Sequence, residues 1–130
     1  MENVYEFLKA CGSFYLATMD GDQPRVRPFG ALDVFENKIY IQTGKEKNVF
    51  KQMKINPKIE ICGMVDNKWI RIEAMVTEDN RTEARQHMLD ANPNLKSMYA
   101  ADDGNTVVLY LNNATATLSS FKDEPKVIEF

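Results

Sequence analysis

Short segments in which apolar and polar residues alternate, cut by turn residues at close spacing, restrict this chain to a small and mainly antiparallel β fold. FYLATM (14–19), KIYIQT (38–43), KIEICGMV (58–65) and WIRIEAMVTE (69–78) keep a period of two. Asp20-Gly21 is a hairpin signal, and Glu36-Asn37 and Asp66-Asn67 mark further tight turns. The run PRVRPFGALDVFE starts at Pro24 and contains Pro28, which lacks a backbone donor, so it is expected at an edge or interrupted there. VVLYL (107–111) and ATATLSSF (114–121) read as two strands separated by Asn112-Asn113, and the last nine residues as a short strand or a tail. Three segments change to a helical period. Residues 2–11 carry Val4, Phe7, Leu8 and Cys11 on one stripe and stop at Gly12. Residues 45–55 carry Val49, Phe50 and Met53 and stop at Asn56-Pro57. Residues 81–91 follow an Asn80…Glu83 capping box and stop at Asn92-Pro93. A helical turn is expected around 95–99. With 130 residues and no linker or repeat, one domain spanning 1–130 is expected, its strands forming a barrel because closure removes sheet edges.

The inventory of reactive groups is sparse. His87 is the only histidine and lies in a polar-rich helical segment, where a surface or capping role is expected. Cys11 and Cys62 are far apart and outside any C-x-x-C context, which fits a reduced compartment and no metal site. Neither G-x-G-x-x-G after a strand nor G-x-x-x-x-G-K-[ST] occurs. Asp102-Asp103 sits in a Gly/Asn loop and reads as a turn. Catalysis in such a chain has to lean on a bound cofactor. The N-terminal MENVYEFLKACG mixes charges into its apolar pattern, unlike a secretory signal, and no stretch approaches the ~18 apolar residues of a membrane span. A cytoplasmic protein with no membrane partner is therefore expected.

Charge is unevenly spread. The chain carries a net charge of -3, which argues against a nucleic-acid partner. Yet the stretch 25–58 holds Arg25, Arg27, Lys38, Lys45, Lys47, Lys51, Lys54 and Lys58 against only Asp33, Glu36 and Glu46. A local basic zone in an acidic protein suits a small anionic ligand. Lys51, Lys54 and Lys58 read as a solvated helix face. Thr43 and Glu46 form a T-x-x-E pattern before the 45–55 helix, so the strand ending at Thr43 runs into a helix N-terminus, where free N–H groups and the dipole favour an anion. Lys45 and Lys47 add charge there, and Arg27 on the neighbouring hairpin is within reach, with Arg25 a weaker candidate. Two readings stand at this point: a phosphate site, or a plain cap with solvated lysines.

This stretch resembles the pyridoxamine 5'-phosphate oxidase-like split barrels. The resemblance rests on Arg27-Pro28-Phe29 in one strand, Gln42-Thr43 ending another, Lys47-Asn48 at the helix opening and Asn56-Pro57 closing it, in an order that agrees along nearly the whole chain. It implies a six-stranded antiparallel split β-barrel with flanking helices, a homodimer, and FMN at the subunit interface. By position, Arg27 and Lys47 would hold the FMN phosphate, with Thr43 and Asn48 adding hydrogen bonds. Val26, Pro28 and Phe29 would line the isoalloxazine, and Gln42 would meet the ring or ribityl edge. Trp69 is either a flavin contact or a core or interface aromatic. The chain ends SSFKDEPKVIEF and lacks the basic and aromatic segment that completes the vitamin B6 site, so the expected substrate is not pyridoxamine phosphate. The resemblance is closer to the short bacterial branch that includes nitroimidazole-reductase-like proteins. It implies a flavin-dependent oxidoreductase acting on a small-molecule electron acceptor or donor. The alternatives are a non-catalytic or stress-related flavin-binding protein, or a split barrel for haem or a deazaflavin.

Overall fold

The apolar stripe at the N-terminus folds as its spacing predicts. In the computed structural model, which describes residues 1–130, α1 (Glu2–Cys11) buries Val4 and Leu8 and stops at Gly12, whose φ of 74° suits glycine. Strands β1 (Phe14–Asp20) and β2 (Gln23–Phe29) pair as a hairpin from Phe14↔Phe29 to Asp20↔Gln23, turned by Gly21 at φ 62°. Then come β3 (Leu32–Phe35), β4 (Lys38–Gly44), α2 (Asn48–Ile55), β5 (Lys58–Val65) and β6 (Lys68–Glu78). They are followed by α3 (Thr82–Ala91), a 3-10 turn (Pro93–Ser97), β7 (Thr106–Ser120) and β8 (Lys126–Glu129).

All pairings are antiparallel. The order is β2-β1-β5-β6-β7-β4-β3, with β8 added to the C-terminal half of β7. The mainly β architecture with flanking helices is the expected one, but the sheet has eight strands rather than six and its hydrogen-bonded path does not close. Its inner face is the main core, where Phe14, Leu16, Ile39, Ile41, Ile61, Ile70 and Ile72 are completely or almost completely buried. A smaller cluster of Tyr40, Ala84, Met88 and Val108 lies under α3. The outer face is different. Tyr15, Val26 and Met64 are all more than half exposed there, and the first two line a groove of about 750 Å³.

The 24–36 run is at an edge, as Pro28 predicts, and divides at Gly30-Ala31 into β2 and β3, which occupy opposite ends of the sheet path. Three local expectations need correction. The two C-terminal strands are one, β7, because Asn113 takes a φ of 49° and absorbs a register shift opposite Glu73 and Met75 without ending the pairing. The second helix starts at Asn48, not Lys45, and neither capping box forms: Lys47 and Arg81 are the N-caps, without side-chain cap bonds. Just before α3, Asp79 Oδ1 accepts the N–H of Arg81 itself at 3.1 Å, which fixes the entry to the helix without capping its first turn. The C-terminal tail forms β8.

Candidate functional site

Residues 44–48 turn the end of β4 into α2. Thr43 shares the face of Ile39 and Ile41 and is buried, so its hydroxyl is not free to cap a helix four residues later. The N–H groups of Asn48 and Val49 accordingly bond to no backbone carbonyl, and Lys47 and Asn48 are exposed beside them. The corner is held from the far side of the chain, since the Lys45 N–H donates to both the carbonyl and Oδ1 of Asn105, at 2.8 and 3.0 Å. An uncapped helix N-terminus next to a lysine is a place where a small anion is stabilised.

A cavity of about 200 Å³ adjoins this corner. Its lining brings together five residues expected at the site, Pro28, Phe29, Gln42, Thr43 and Lys47. Gln42 is the informative one. It is 7% exposed, and neither its Oε1 nor its Nε2 has a hydrogen-bond partner. A buried amide without partners carries a desolvation penalty of about 1–3 kcal/mol unless something in the cavity meets it.

Arg27 lies outside that cavity, against α2. Its Nη1 donates to Thr18 Oγ1 at 2.7 Å and its Nη2 to Gln52 Oε1 at 2.8 Å, while Thr18 Oγ1 itself donates to Gln52 at 2.6 Å. The end of the guanidinium is thus fixed, and Nε–H with the second Nη2 N–H has no acceptor in the chain. Gln52 is one helical turn beyond Asn48, so Arg27 is anchored on the helix that carries the uncapped terminus. Arg25 pairs instead with Asp20 at 3.3 Å and is exposed. Val26 and Trp69 are on the outer face of the sheet: Val26 is 69% exposed and borders the large groove, and the Trp69 ring packs against Phe121 at 5.0 Å between centroids. The structure therefore gathers five of the nine expected residues into one cavity, sets Asn48 on the adjoining helix with Arg27 of β2 bonded to that helix, and leaves Val26 and Trp69 on another face.

The same cavity has a wall that the sequence pattern did not signal. Leu95, Met98 and Tyr99 close it from the 3-10 turn and the residue pair after it. Polar and mixed in composition, that segment carries neither a clear period nor a motif.

His87 is half exposed, as a surface residue would be, but it has a specific partner. Its Nδ1 is 2.6 Å from Asp33 Oδ2, across 54 positions, and its ring is 4.5 Å from that of Phe35. Burial raises the Asp33 carboxyl above its ordinary value, and the His87 contact opposes this. The histidine is thereby committed to tying α3 to β3. No group of three or more His, Cys, Asp or Glu side chains is placed to hold a metal ion, and no helix is long and apolar enough to cross a membrane.

Comparison with known proteins agrees with this fold. The solved structure of a NimC/NimA family protein from Clostridium acetobutylicum is 49% identical, over 100% of this chain and 92% of that one, with a TM-score of 0.98. General Stress Protein 26 from Bacillus anthracis shares the fold at 16% identity, over 99% of this chain and 97% of that one, with a TM-score of 0.79. So does HutZ, a haem storage protein from Vibrio cholerae, at 13% identity over 85% and 87% of the two chains, with a TM-score of 0.66. No curated protein sequence matches the chain significantly. Residues 1–91 match the family described as pyridoxamine 5'-phosphate oxidase, a stretch that includes the uncapped corner, the orphaned Gln42 amide and Arg27; the chain belongs to that family.

Proposed function

We propose that this chain binds FMN and is a flavin-dependent oxidoreductase for a small molecule, with the phosphate at the β4–α2 corner. The observation that carries this reading is the buried Gln42 amide, which has no partner in the chain and lines a cavity whose other end is Lys47 beneath a bare helix N-terminus. An amide presents a donor and an acceptor side by side, which suits the alternating N–H and C=O groups of a flavin pyrimidine edge. Lys47 and the N–H groups of Asn48 and Val49 would take the phosphate, joined by the open side edge of Arg27. Thr43 and Asn48 add hydroxyl and amide contacts. Pro28 and Phe29 would pack against the ring. Bound FMN would supply electron and hydride transfer, so the sparse set of acids and bases is no obstacle.

A cavity of about 200 Å³ is smaller than the ~300–1,000 Å³ usual for a ligand of this class. The missing wall is best supplied by a second copy of the chain, since the outer face exposes Tyr15 and Val26 along an apolar groove, and Met64 elsewhere on that face. A homodimer with FMN at its interface would also give Val26 and Trp69 their expected surroundings. Light scattering of the FMN-loaded protein tests this, and a monomer would contradict it.

Haem is the less favoured ligand because the single histidine is bonded to Asp33 and does not line the cavity. The visible spectrum of the purified protein, before and after incubation with FMN, separates these readings: flavin bands support the proposal, and a Soret band overturns it. Steady-state oxidation of NADH or NADPH with a nitro compound or quinone then separates an oxidoreductase from a flavin-binding protein without turnover.

Arg27 allows a sharper check. Arg27→Lys keeps the charge and loses the planar fork, so FMN affinity is expected to fall nearly as far as in Arg27→Ala. Full retention by the lysine variant, measured by flavin fluorescence quenching, would mean that only charge matters there.

A further inference from the structure

We propose that Tyr99 is an additional phosphate ligand, held in place by the 100–106 loop; this rests on the reading of the β4–α2 corner given above. Tyr99 lies beyond the residues that match the family, 1–91, and in no recognisable motif. It lines the same cavity as Gln42, Thr43 and Lys47. Its hydroxyl is 3.6 Å from the point where a Cβ on Gly44 would lie, so it sits directly beside the corner, and the absence of a side chain at Gly44 leaves that approach open. The phenol is half-buried and makes no hydrogen bond within the chain, so its O–H is free to donate to a group held in the cavity. Two unpartnered polar groups therefore line one cavity: the Tyr99 hydroxyl beside Gly44 at the end of β4, and the buried Gln42 amide.

The surroundings of Tyr99 are rigid. Its N–H donates to Leu95 O at 2.9 Å. Asp103 accepts from the N–H groups of Ala100, Asn105 and Thr106 at 3.0, 2.8 and 2.7 Å, and Arg85 Nε donates to Ala101 O at 2.6 Å, fixing the loop to α3. Asn105 then holds Lys45 by two acceptors. The loop that positions Tyr99 is thus the one that positions the corner, so hydroxyl and helix N-terminus keep their spacing without a ligand. A neutral O–H donor of this kind suits a phosphomonoester, whose oxygens accept from several directions at once.

The test is the Tyr99→Phe variant, which keeps the ring wall and removes only the donor. Dissociation constants for FMN and for riboflavin are measured by fluorescence quenching in both proteins. The expected result is a loss of FMN affinity of about tenfold or more, with riboflavin affinity unchanged. Unchanged FMN affinity, or equal losses for the two flavins, would overturn the proposal, because a ring that acts as a wall does not sense phosphate. A wild-type chain that holds both flavins equally would instead remove the phosphate corner itself, and this assignment with it.

Discussion

Lys47→Ala is expected to weaken FMN binding by about 1–3 kcal/mol, a factor of about 5 to 150, as one charge-assisted contact to phosphate is lost. Lys47 is exposed and makes no ion pair, so its removal should not disturb folding. The effect would then appear in binding alone, with an unchanged urea midpoint. Lys54→Ala and Lys58→Ala are the matched controls. Lys54 lies over the Phe50 ring at 5.5 Å and Lys58 borders the outer groove, and neither lines the cavity. Both should bind FMN nearly as well as the wild type. Equal losses in all three variants would point to a diffuse basic surface instead of a built corner.

Asp79→Ala should be damaging although it lies away from the cavity, at about 1–3 kcal/mol in urea unfolding, because the buried Tyr40 hydroxyl loses its acceptor. The Asp79 side chain is 7% exposed and accepts from Tyr40 Oη at 2.7 Å, from Arg81 Nε at 2.9 Å, from Arg81 Nη2 at 2.8 Å and from the Arg81 N–H. Its loss strands the hydroxyl of the buried Tyr40 and frees the backbone N–H of Arg81, the residue that leads into α3. Arg81 also bonds to Glu36 in the β3–β4 turn, so the cluster ties that turn to the helix. The exposed pair of Arg81 with Glu83, at 3.8 Å, is the contrast: Glu83→Ala should change stability by less than about 1 kcal/mol. A loss below about 1 kcal/mol for Asp79→Ala would show that the cluster is not cooperative.

The same cluster sets the sign of the acid response. Hydrogen bonds from Arg81, and then from Tyr40, hold the Asp79 carboxyl well below the usual carboxylate range, against the opposing effect of burial. Its stabilisation is complete above the unfolded value of about 3.9 and drains away as pH falls below it. Asp33 has the opposite sign. Burial raises its carboxyl, so it favours the folded state most when protonated, and that advantage is lost as pH rises from about 3.9 through the folded value. Asp79→Asn should therefore flatten the loss of stability in acid, and Asp33→Asn should not. Thermal unfolding between pH 3 and pH 7 reads both.

Much of the fold was legible because strand period and turn residues are local properties. The 58–65 and 69–78 strands alternate cleanly, and each has its buried face where the pattern puts it. Failures arose where tertiary position overrode a local signal. Thr43 has the spacing of a cap, but its place on β4 opposite Val107 buries it at the cavity wall instead. Asn112-Asn113 has the composition of a hairpin, but the long neighbour β6 pairs on both sides of it, so the strand continues through a bulge. His87 reads correctly as a surface residue, yet its partner Asp33 is 54 positions away and no local pattern joins them. At the site, Thr43 and Lys47 were visible because they flank a strand–helix junction, and Gln42 only through the family resemblance. Tyr99 was not, because the segment that carries it is irregular and meets the corner only in three dimensions.

The account rests on the β4–α2 corner recognising a phosphate, and a direct titration of the wild-type protein with FMN and with riboflavin decides it. Binding of FMN at least tenfold tighter than riboflavin, with the gap narrowing as salt is raised, is the predicted result. Equal affinity for the two flavins, at low salt as well as high, would contradict it.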